Sequence, residues 1–320
     1  MKGDDSTLTS RQLTNVQRHA DRLLREAAAY GRFPTPVEDL LAAAKLKVVD
    51  DELIDDGLLR KFLRKATVAG VAALKSALSK VVGLFDAADR LVLIDKTLPR
   101  PRIPFVKLHE AGHGSLPHQS RLYALIHDCL QTLDPDTTDL FEREANVFAS
   151  EVMFQCETFL QHAHDQEFGL KVPMGLAKQF GASNYATFRR YVGTSPRACC
   201  LIVLEPVKRG PPGGFTAEIR RIVASQTFNE IYDALSFGPE ISEGHMLASA
   251  VPRGRRMIYP RQIALVDRNG DTRECFVEAF DTTHQVLVLI LDKRPFTRCS
   301  VVLPKIVDIA VFRKARDALS

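Results

Sequence analysis

The sequence predicts an α+β protein in which a mostly helical domain, residues 1–196, precedes a β-rich domain, residues 197–320. Apolar residues recur at helical spacing through most of the first part of the chain. After Pro196, short apolar runs bounded by turn residues replace that pattern. The 320 residues are 45% hydrophobic and 26% charged, which is an ordinary globular composition and a length typical of about two domains.

The beginning of the helical domain alternates helical patterns with short apolar runs. Two prolines, Pro34 and Pro36, interrupt the first helical pattern. Two later apolar runs are separated by an Asp-Ala-Ala-Asp turn, which is typical of a β-hairpin. The predicted elements are a helix over 7–30, a short helix over 37–44, a strand over 45–49, amphipathic helices over 52–79 and a hairpin over 81–94.

The rest of this domain is predicted to be helical throughout. Pro135 stops one helix, and a buried stripe that includes Phe141 and Phe148 marks the next. Gly181 indicates a turn inside the last helical segment. The predicted helices cover residues 105–114, 120–133, 138–163 and 173–192.

The C-terminal domain is predicted from runs of β-type residues. Cys199 and Cys200 begin the first run, and strand alternation predicts that one of the two side chains points into the core. No motif in residues 200–320 indicates chemistry. The predicted strands cover residues 199–204, 262–267, 274–279, 285–291 and 300–302.

Composition excludes several functional classes. No run of eighteen uncharged apolar residues occurs, so we expect no membrane helix and no membrane partner. The N-terminus lacks an apolar signal core, and the six cysteines show no repeated spacing, so a cytoplasmic protein with reduced thiols is expected. The net charge of +4 neither requires nor excludes nucleic acid as a partner.

The most informative segment is residues 105–113, which read FVKLHEAGH and contain the pattern HExxH. His109 and His113 are four residues apart on a predicted helix, so both imidazoles project from one face and can bind one metal ion. Zn²⁺ accepts such nitrogen ligands. Glu110 is rotated by about 100° from His109 and is therefore expected beside the metal as a general base, not as a ligand. The alternative is a chance match on a surface helix.

A catalytic zinc site usually has a third protein ligand. The spacing favours Glu142, which adjoins the buried Phe141 stripe and lies one turn before Asn146. Glu144 is expected to point away into solvent. The other candidates are His118 in a loop bent by a proline, and His127 and Cys129, which are two apart on a helix and cannot both reach one ion.

These motifs resemble the ImmA/IrrE family of zinc metallopeptidases over about residues 10–195. The segment FVKLHEAGH is similar to the family's F-x-x-A-H-E-x-G-H, and residues 142–149, EREANVFA, are similar to its E-x-x-A-N-x-F-A. The PTPVEDL segment at 34–40 and the hairpin that ends at Asp95 also match the family pattern. Leu108 departs from it, since a small residue usually stands there.

The resemblance implies a zincin-like metallopeptidase fold for residues 1–196 and Glu142 as the third zinc ligand. It implies cleavage of a protein substrate, a helix-turn-helix repressor whose removal switches on stress or mobile-element genes. The β-rich domain would then dock the substrate or sense a signal. The alternative from a different functional class is a transcriptional regulator or signalling module with a non-catalytic metal site.

Residues 173–192 form a helix, a glycine turn and a basic helix, which is a helix-turn-helix-like pattern. One interpretation is direct DNA binding. The other is a helix pair that completes the peptidase core. The second interpretation is favoured, because Arg189 and Arg190 alone are a weak electrostatic signal for nucleic acid.

Overall fold

The computed structural model describes residues 8–49, 83–86, 90–94, 100–122, 134–210, 214–232, 237–253 and 256–293. The predicted helices over 52–79, most of the predicted helix over 120–133 with His127 and Cys129, and the predicted strand over 300–302 lie outside these ranges. None of the helices within them is long and apolar enough to cross a membrane.

The N-terminal helices pack around a small three-stranded sheet. The sheet has the order β1-β3-β2, with β1 and β3 parallel and β2 and β3 antiparallel, as the hairpin pattern predicts. The elements are α1 (Ser10–Glu26), α2 (Val37–Ala43), β1 (Lys47–Val49), β2 (Gly83–Asp86), β3 (Leu91–Ile94), α3 (Ile103–Ser115), α4 (Pro135–Met153), α5 (Glu157–His164), α6 (Lys171–Phe180) and α7 (Asn184–Gly193). Residues 117–122 are also helical.

Helix α1 is shorter than the predicted helix over 7–30, and a side-chain cap sets its start at Ser10. Thr9 and Gln12 form a capping box at its N-terminus, which satisfies backbone donors that a helix end leaves unpaired. Val16, Ala20, Leu23 and Leu24 are buried, and this face packs against α4. Helix α1 therefore supports the helix that carries the proposed third ligand.

The predicted single helix over 138–163 is wrong, because the structure breaks it into α4 and α5. Gln155 and Cys156 have φ angles of 50° and 52°, in the left-handed region that ends a helix. The Gln155 side chain accepts a hydrogen bond from the Gly31 backbone N–H and donates one to the Arg32 carbonyl, both at 2.8 Å. Both bonds join Gln155 to a segment more than one hundred residues away. Helical periodicity is a local pattern, so it could not predict this helix end.

The described C-terminal elements are β4 (Cys199–Leu204), β5 (Lys208–Arg209), β6 (Phe215–Ala224), α8 (Gln226–Tyr232), β7 (Glu240–Ser242), β8 (Met257–Val266), β9 (Thr272–Asp281) and β10 (Val286–Asp292). The strands form an antiparallel sheet with the order β5-β6-β4-β10-β9-β8, in which β7 also pairs with β6. The four predicted strands that lie within the described residues are confirmed: β4 has the predicted bounds, β8 and β9 begin earlier than predicted, and β10 is shifted by one residue. Strands β5, β6 and β7 and the helix α8 were not predicted.

The central strand β4 is buried on both faces. Cys199 packs into the core of the helical part, whereas Cys200 packs into a second core beneath α8. The expectation that only one of these two cysteines is buried is therefore wrong. Because one face of the sheet shares its core with the helices, the helical part and the sheet lie against each other along β4, β6 and β10. The domain boundary near residue 196 stays a prediction.

Candidate metal centre

Helices α3 and α4 approach each other closely at Gly112. A Cβ atom at this position would lie 3.2 Å from the Ala145 Cα and 3.2 Å from the Phe148 Cδ1. Because glycine has no Cβ atom, the two helices can approach more closely here than a larger residue would allow. As a result, the histidine-bearing face of α3 meets α4 at the turn that carries Glu142.

Three side chains converge at this contact. The Nε2 atoms of His109 and His113 are 3.2 Å apart. The Glu142 carboxylate lies 3.3 Å from His109 Nε2 and 3.5 Å from His113 Nε2. All three residues place a ligand atom within 4.8 Å of the other two, a spacing that one metal ion could bridge.

Two amide side chains orient the histidine rings. Asn146 Oδ1 lies 3.1 Å from His109 Nδ1, and Gln119 Oε1 lies 2.7 Å from His113 Nδ1. A carbonyl oxygen can only accept, so each neutral ring donates from Nδ1 and leaves a lone pair on Nε2. This pattern prepares the rings to bind a cation and fits the chemistry of a zinc site.

Glu144 is part of the same hydrogen-bond network. The expectation that Glu144 points into solvent is therefore wrong. Its side chain is only 4% exposed. It accepts hydrogen bonds from Gln119 Nε2 at 2.7 Å and from His118 Nε2 at 2.6 Å. Burial raises the pKa of Glu144, but these bonds outweigh burial and hold its pKa below the usual value. His118 thus contacts Glu144 and lies outside the triad.

Glu110 lies beside the triad and is 6% exposed. Burial raises the pKa of Glu110, although the neighbouring histidines oppose the shift. Burial also raises the pKa of Glu142, but the nearby His109 and His113 imidazoles outweigh burial and hold that pKa well below its usual range. The two carboxylates therefore differ: the pKa of Glu142 is lowered and that of Glu110 is raised.

Residues 66–190, which contain all of these side chains, match the family model described as "Peptidase_M78: IrrE N-terminal-like domain". This match agrees with the resemblance of the segment to the ImmA/IrrE family. The match indicates a metallopeptidase.

The other comparisons add no functional argument. No curated protein matches the chain. A solved structure described as a "Mycobacterium tuberculosis transcriptional regulator" aligns with 87% of this chain and 88% of its own length. The identity is 14% and the TM-score is 0.47, a similarity too low to transfer a function.

The triad of His109, His113 and Glu142 opens into a cleft of about 1940 Å³. Near the triad, the cleft is lined by helices α3 and α4 and by Arg100, Pro101 and Arg102. It continues past α6 and α7, and it reaches Arg220 of β6 and His284 in the loop before β10. The helical part and the C-terminal sheet therefore both form its walls.

Helices α6 and α7, joined by a turn at Gly181, occupy the segment predicted to be helix-turn-helix-like. Gly181 has a φ angle of 73°, and a Cβ atom there would lie 2.9 Å from Pro34 Cβ, so the turn requires glycine. Arg190 donates hydrogen bonds to both carboxylate oxygens of Glu151 at 2.8 Å, and its side chain is 13% exposed. Arg190 thus packs α7 against α4, which supports the interpretation of this pair as part of the peptidase core.

Proposed function

We propose that this chain is a zinc-dependent endopeptidase that cleaves a regulatory protein of the helix-turn-helix repressor type. The observation that carries the proposal is the triad of His109, His113 and Glu142 next to the buried Glu110. Imidazole and carboxylate donors suit zinc. The repressor as substrate follows from the family resemblance, and so does a role in stress response.

In this proposal the metal ion, Glu110 and the cleft have different roles in peptide hydrolysis. When bound, the ion would supply Lewis-acid polarisation of the scissile carbonyl and of the attacking water. Glu110 would accept the proton that water loses as its oxygen attacks the carbonyl carbon. Glu110 would then donate that proton to the amine nitrogen as the C–N bond breaks. The cleft would hold the polypeptide on both sides of the scissile bond.

The alternative is a regulator whose metal site has no catalytic role. Structural zinc sites usually have four protein ligands and are rich in cysteine. Among the described residues the cluster contains two histidines and one carboxylate, and the described cysteines lie elsewhere. A buried Glu110 has no function in a purely structural site. These observations favour the peptidase.

Glu110→Gln tests the catalytic role. The variant should keep its zinc, because Glu110 is not a ligand, and should cleave a co-expressed candidate repressor about 10²–10⁴-fold more slowly. Cleavage is followed on gels at equal zinc content. Glu230→Gln, at an exposed position outside the cleft, is the matched control and should cleave normally. Undiminished cleavage by Glu110→Gln would exclude this mechanism.

The double variant His109→Ala, His113→Ala tests the metal site itself. The wild-type chain should retain about one zinc ion after purification, and the double variant should retain none. Elemental analysis measures both. Full zinc content in the double variant would show that the ion binds elsewhere.

A further inference from the structure

The charge of the cleft away from the metal triad is predominantly positive. Glu151 and Arg190 form a buried pair and contribute no net charge. His284 also lines the cleft. Apart from these residues, the triad and Glu110, the described charged residues that line the cleft are five basic residues and one acid, namely Arg100, Arg102, Lys178, Arg189, Arg220 and Glu157.

Two of the arginines meet on one aromatic ring. The guanidinium carbon of Arg189 lies 5.5 Å from the ring centroid of Tyr185, and that of Arg220 lies 5.7 Å from it. Attraction between each cation and the ring opposes the repulsion between the two charges. Because Arg220 comes from β6 and the other two residues come from α7, this cluster joins the C-terminal sheet to the peptidase domain.

Arg220 keeps most of its capacity to bind an anion. Its side chain is 54% exposed, and its ion pair with Glu205 spans 3.7 Å. An exposed pair of this length contributes little, so Glu205 competes weakly with a better-placed carboxylate. The planar guanidinium can bind both oxygens of such a carboxylate.

We propose that the cluster of Tyr185, Arg189 and Arg220 is a specificity site that binds an acidic side chain of the polypeptide substrate. This inference rests on the proposed function and adds to it the chemical class of the substrate: a segment with Asp or Glu at a set distance from the scissile bond. The basic lining residues on the other walls favour the same class. The C-terminal sheet takes part in recognition through Arg220.

A peptide fits this site better than duplex DNA does. The cluster lines the same cleft as the metal triad. The adjacent Arg190 is committed to Glu151, so α7 lacks the continuous basic face that binds a phosphate backbone.

Binding to the zinc-loaded Glu110→Gln variant tests the proposal without requiring cleavage. Short peptides that bind are selected from a random-sequence pool and identified by mass spectrometry. Each is then compared, by fluorescence anisotropy, with versions in which Asp or Glu is replaced by the matching amide or by Lys. We expect acidic peptides to bind about tenfold more tightly than their amides, with the difference shrinking as salt is raised.

Reversing the charge of Arg220 then tests whether this residue causes the preference for acidic peptides. Arg220→Glu, in the same background, should lose the acidic preference and favour the Lys versions, and Arg220→Gln should lose the preference without reversing it. Arg261→Glu makes the same charge change at an exposed position of β8 outside the cleft and should keep the preference. Thermal melting of each variant confirms that it is folded.

The outcomes separate this inference from the proposed function. If Arg220→Glu alone loses the preference while the wild-type protein cleaves nothing, the specificity site is supported and the peptidase function fails. If the repressor is cleaved but acidic peptides show no preference, or Arg261→Glu has the same effect, the specificity site is wrong. Duplex DNA that binds more tightly than the acidic peptides, in a manner that depends on Arg220, would also overturn it.

Discussion

The side-chain carbonyl of Gln119 accepts a hydrogen bond from His113 Nδ1 at 2.7 Å, while its amide group donates to the Glu144 carboxylate at 2.7 Å. Gln119 is fully buried, and a third contact, to the carbonyl of Phe141, holds it against α4. Its amide cannot rotate without breaking these bonds. Gln119 therefore determines which nitrogen of His113 faces His109 and Glu142.

Replacing Gln119 with Met should lower zinc affinity by about 10–100-fold, because the acceptor for His113 Nδ1 is lost while the side chain keeps a similar length. Titration against a chelator measures the change. Gln179→Met, on α6 and away from the triad, should leave zinc affinity unchanged. Equal affinities in the two variants would contradict the role given to Gln119.

Glu142→Gln should weaken zinc binding more than Glu144→Gln. The first change removes the only anionic donor among the triad residues, whereas the second removes a charge from a residue that acts through Gln119 and His118. Chelator competition on both variants gives the order. A greater loss of zinc affinity in Glu144→Gln than in Glu142→Gln would indicate that Glu144 is the third ligand.

Gly112→Ala should destabilise the fold by about 1–3 kcal/mol and lower zinc affinity, because the added Cβ pushes α3 away from the α4 backbone. Gly175→Ala is the matched control, since α6 has open space at that position. The control should instead gain up to about 1 kcal/mol from higher helix propensity. Urea unfolding measures both. A neutral Gly112→Ala would show that the close helix contact is dispensable.

Arg190→Met should destabilise the protein by about 3–5 kcal/mol near neutral pH, because it leaves the Glu151 carboxylate buried without its cation. Arg22→Met removes an exposed pair with Glu26 and should cost about 0.5 kcal/mol or less. Equal losses of unfolding free energy in the two variants would show that the buried pair stabilises the fold no more than the exposed pair does.

The same pair predicts a pH dependence with a definite sign. In the wild-type protein, burial raises the pKa of Glu151 but Arg190 outweighs it, so the pKa falls below the usual 4.5. Stability from this group is therefore present above about pH 4.5 and is lost as the pH falls further. In Arg190→Met, Glu151 keeps only the hydrogen bond from Gln17, and burial, the largest influence, raises its pKa. The contribution of this group to stability is then lost as the pH rises. The variant's deficit in urea unfolding should be larger at pH 7 than at pH 4, and a constant deficit would contradict this assignment.

Part of the candidate site follows from sequence spacing alone. Two histidines four residues apart lie on one face of any α-helix. The residue that follows the first histidine is rotated by about 100° from it around the helix axis. The relative directions of His109, Glu110 and His113 therefore need no tertiary information. Glu142 was favoured by its position next to Phe141 and by family resemblance, and the structure places it with the histidines.

Gln119 was missed because no local pattern marks it. It lies after the turn at Leu116 and Pro117, and only the packing of residues 117–122 against α4 brings it to His113 and Glu144. The signal that could have found it is general: a metal-binding histidine needs an acceptor for its second nitrogen, and amide side chains near the motif are candidates.

By itself, the sequence determined the direction of side chains on single helices and strands, because helical and strand periods depend only on the local backbone. Tertiary structure alone decided what lies opposite those side chains. It buried Glu144 by packing residues 117–122 over it, ended α4 through bonds from Gln155 to a distant segment, and covered both faces of β4. The physical reason is that burial, capping and pKa depend on groups far away in the chain, whose positions no local period encodes.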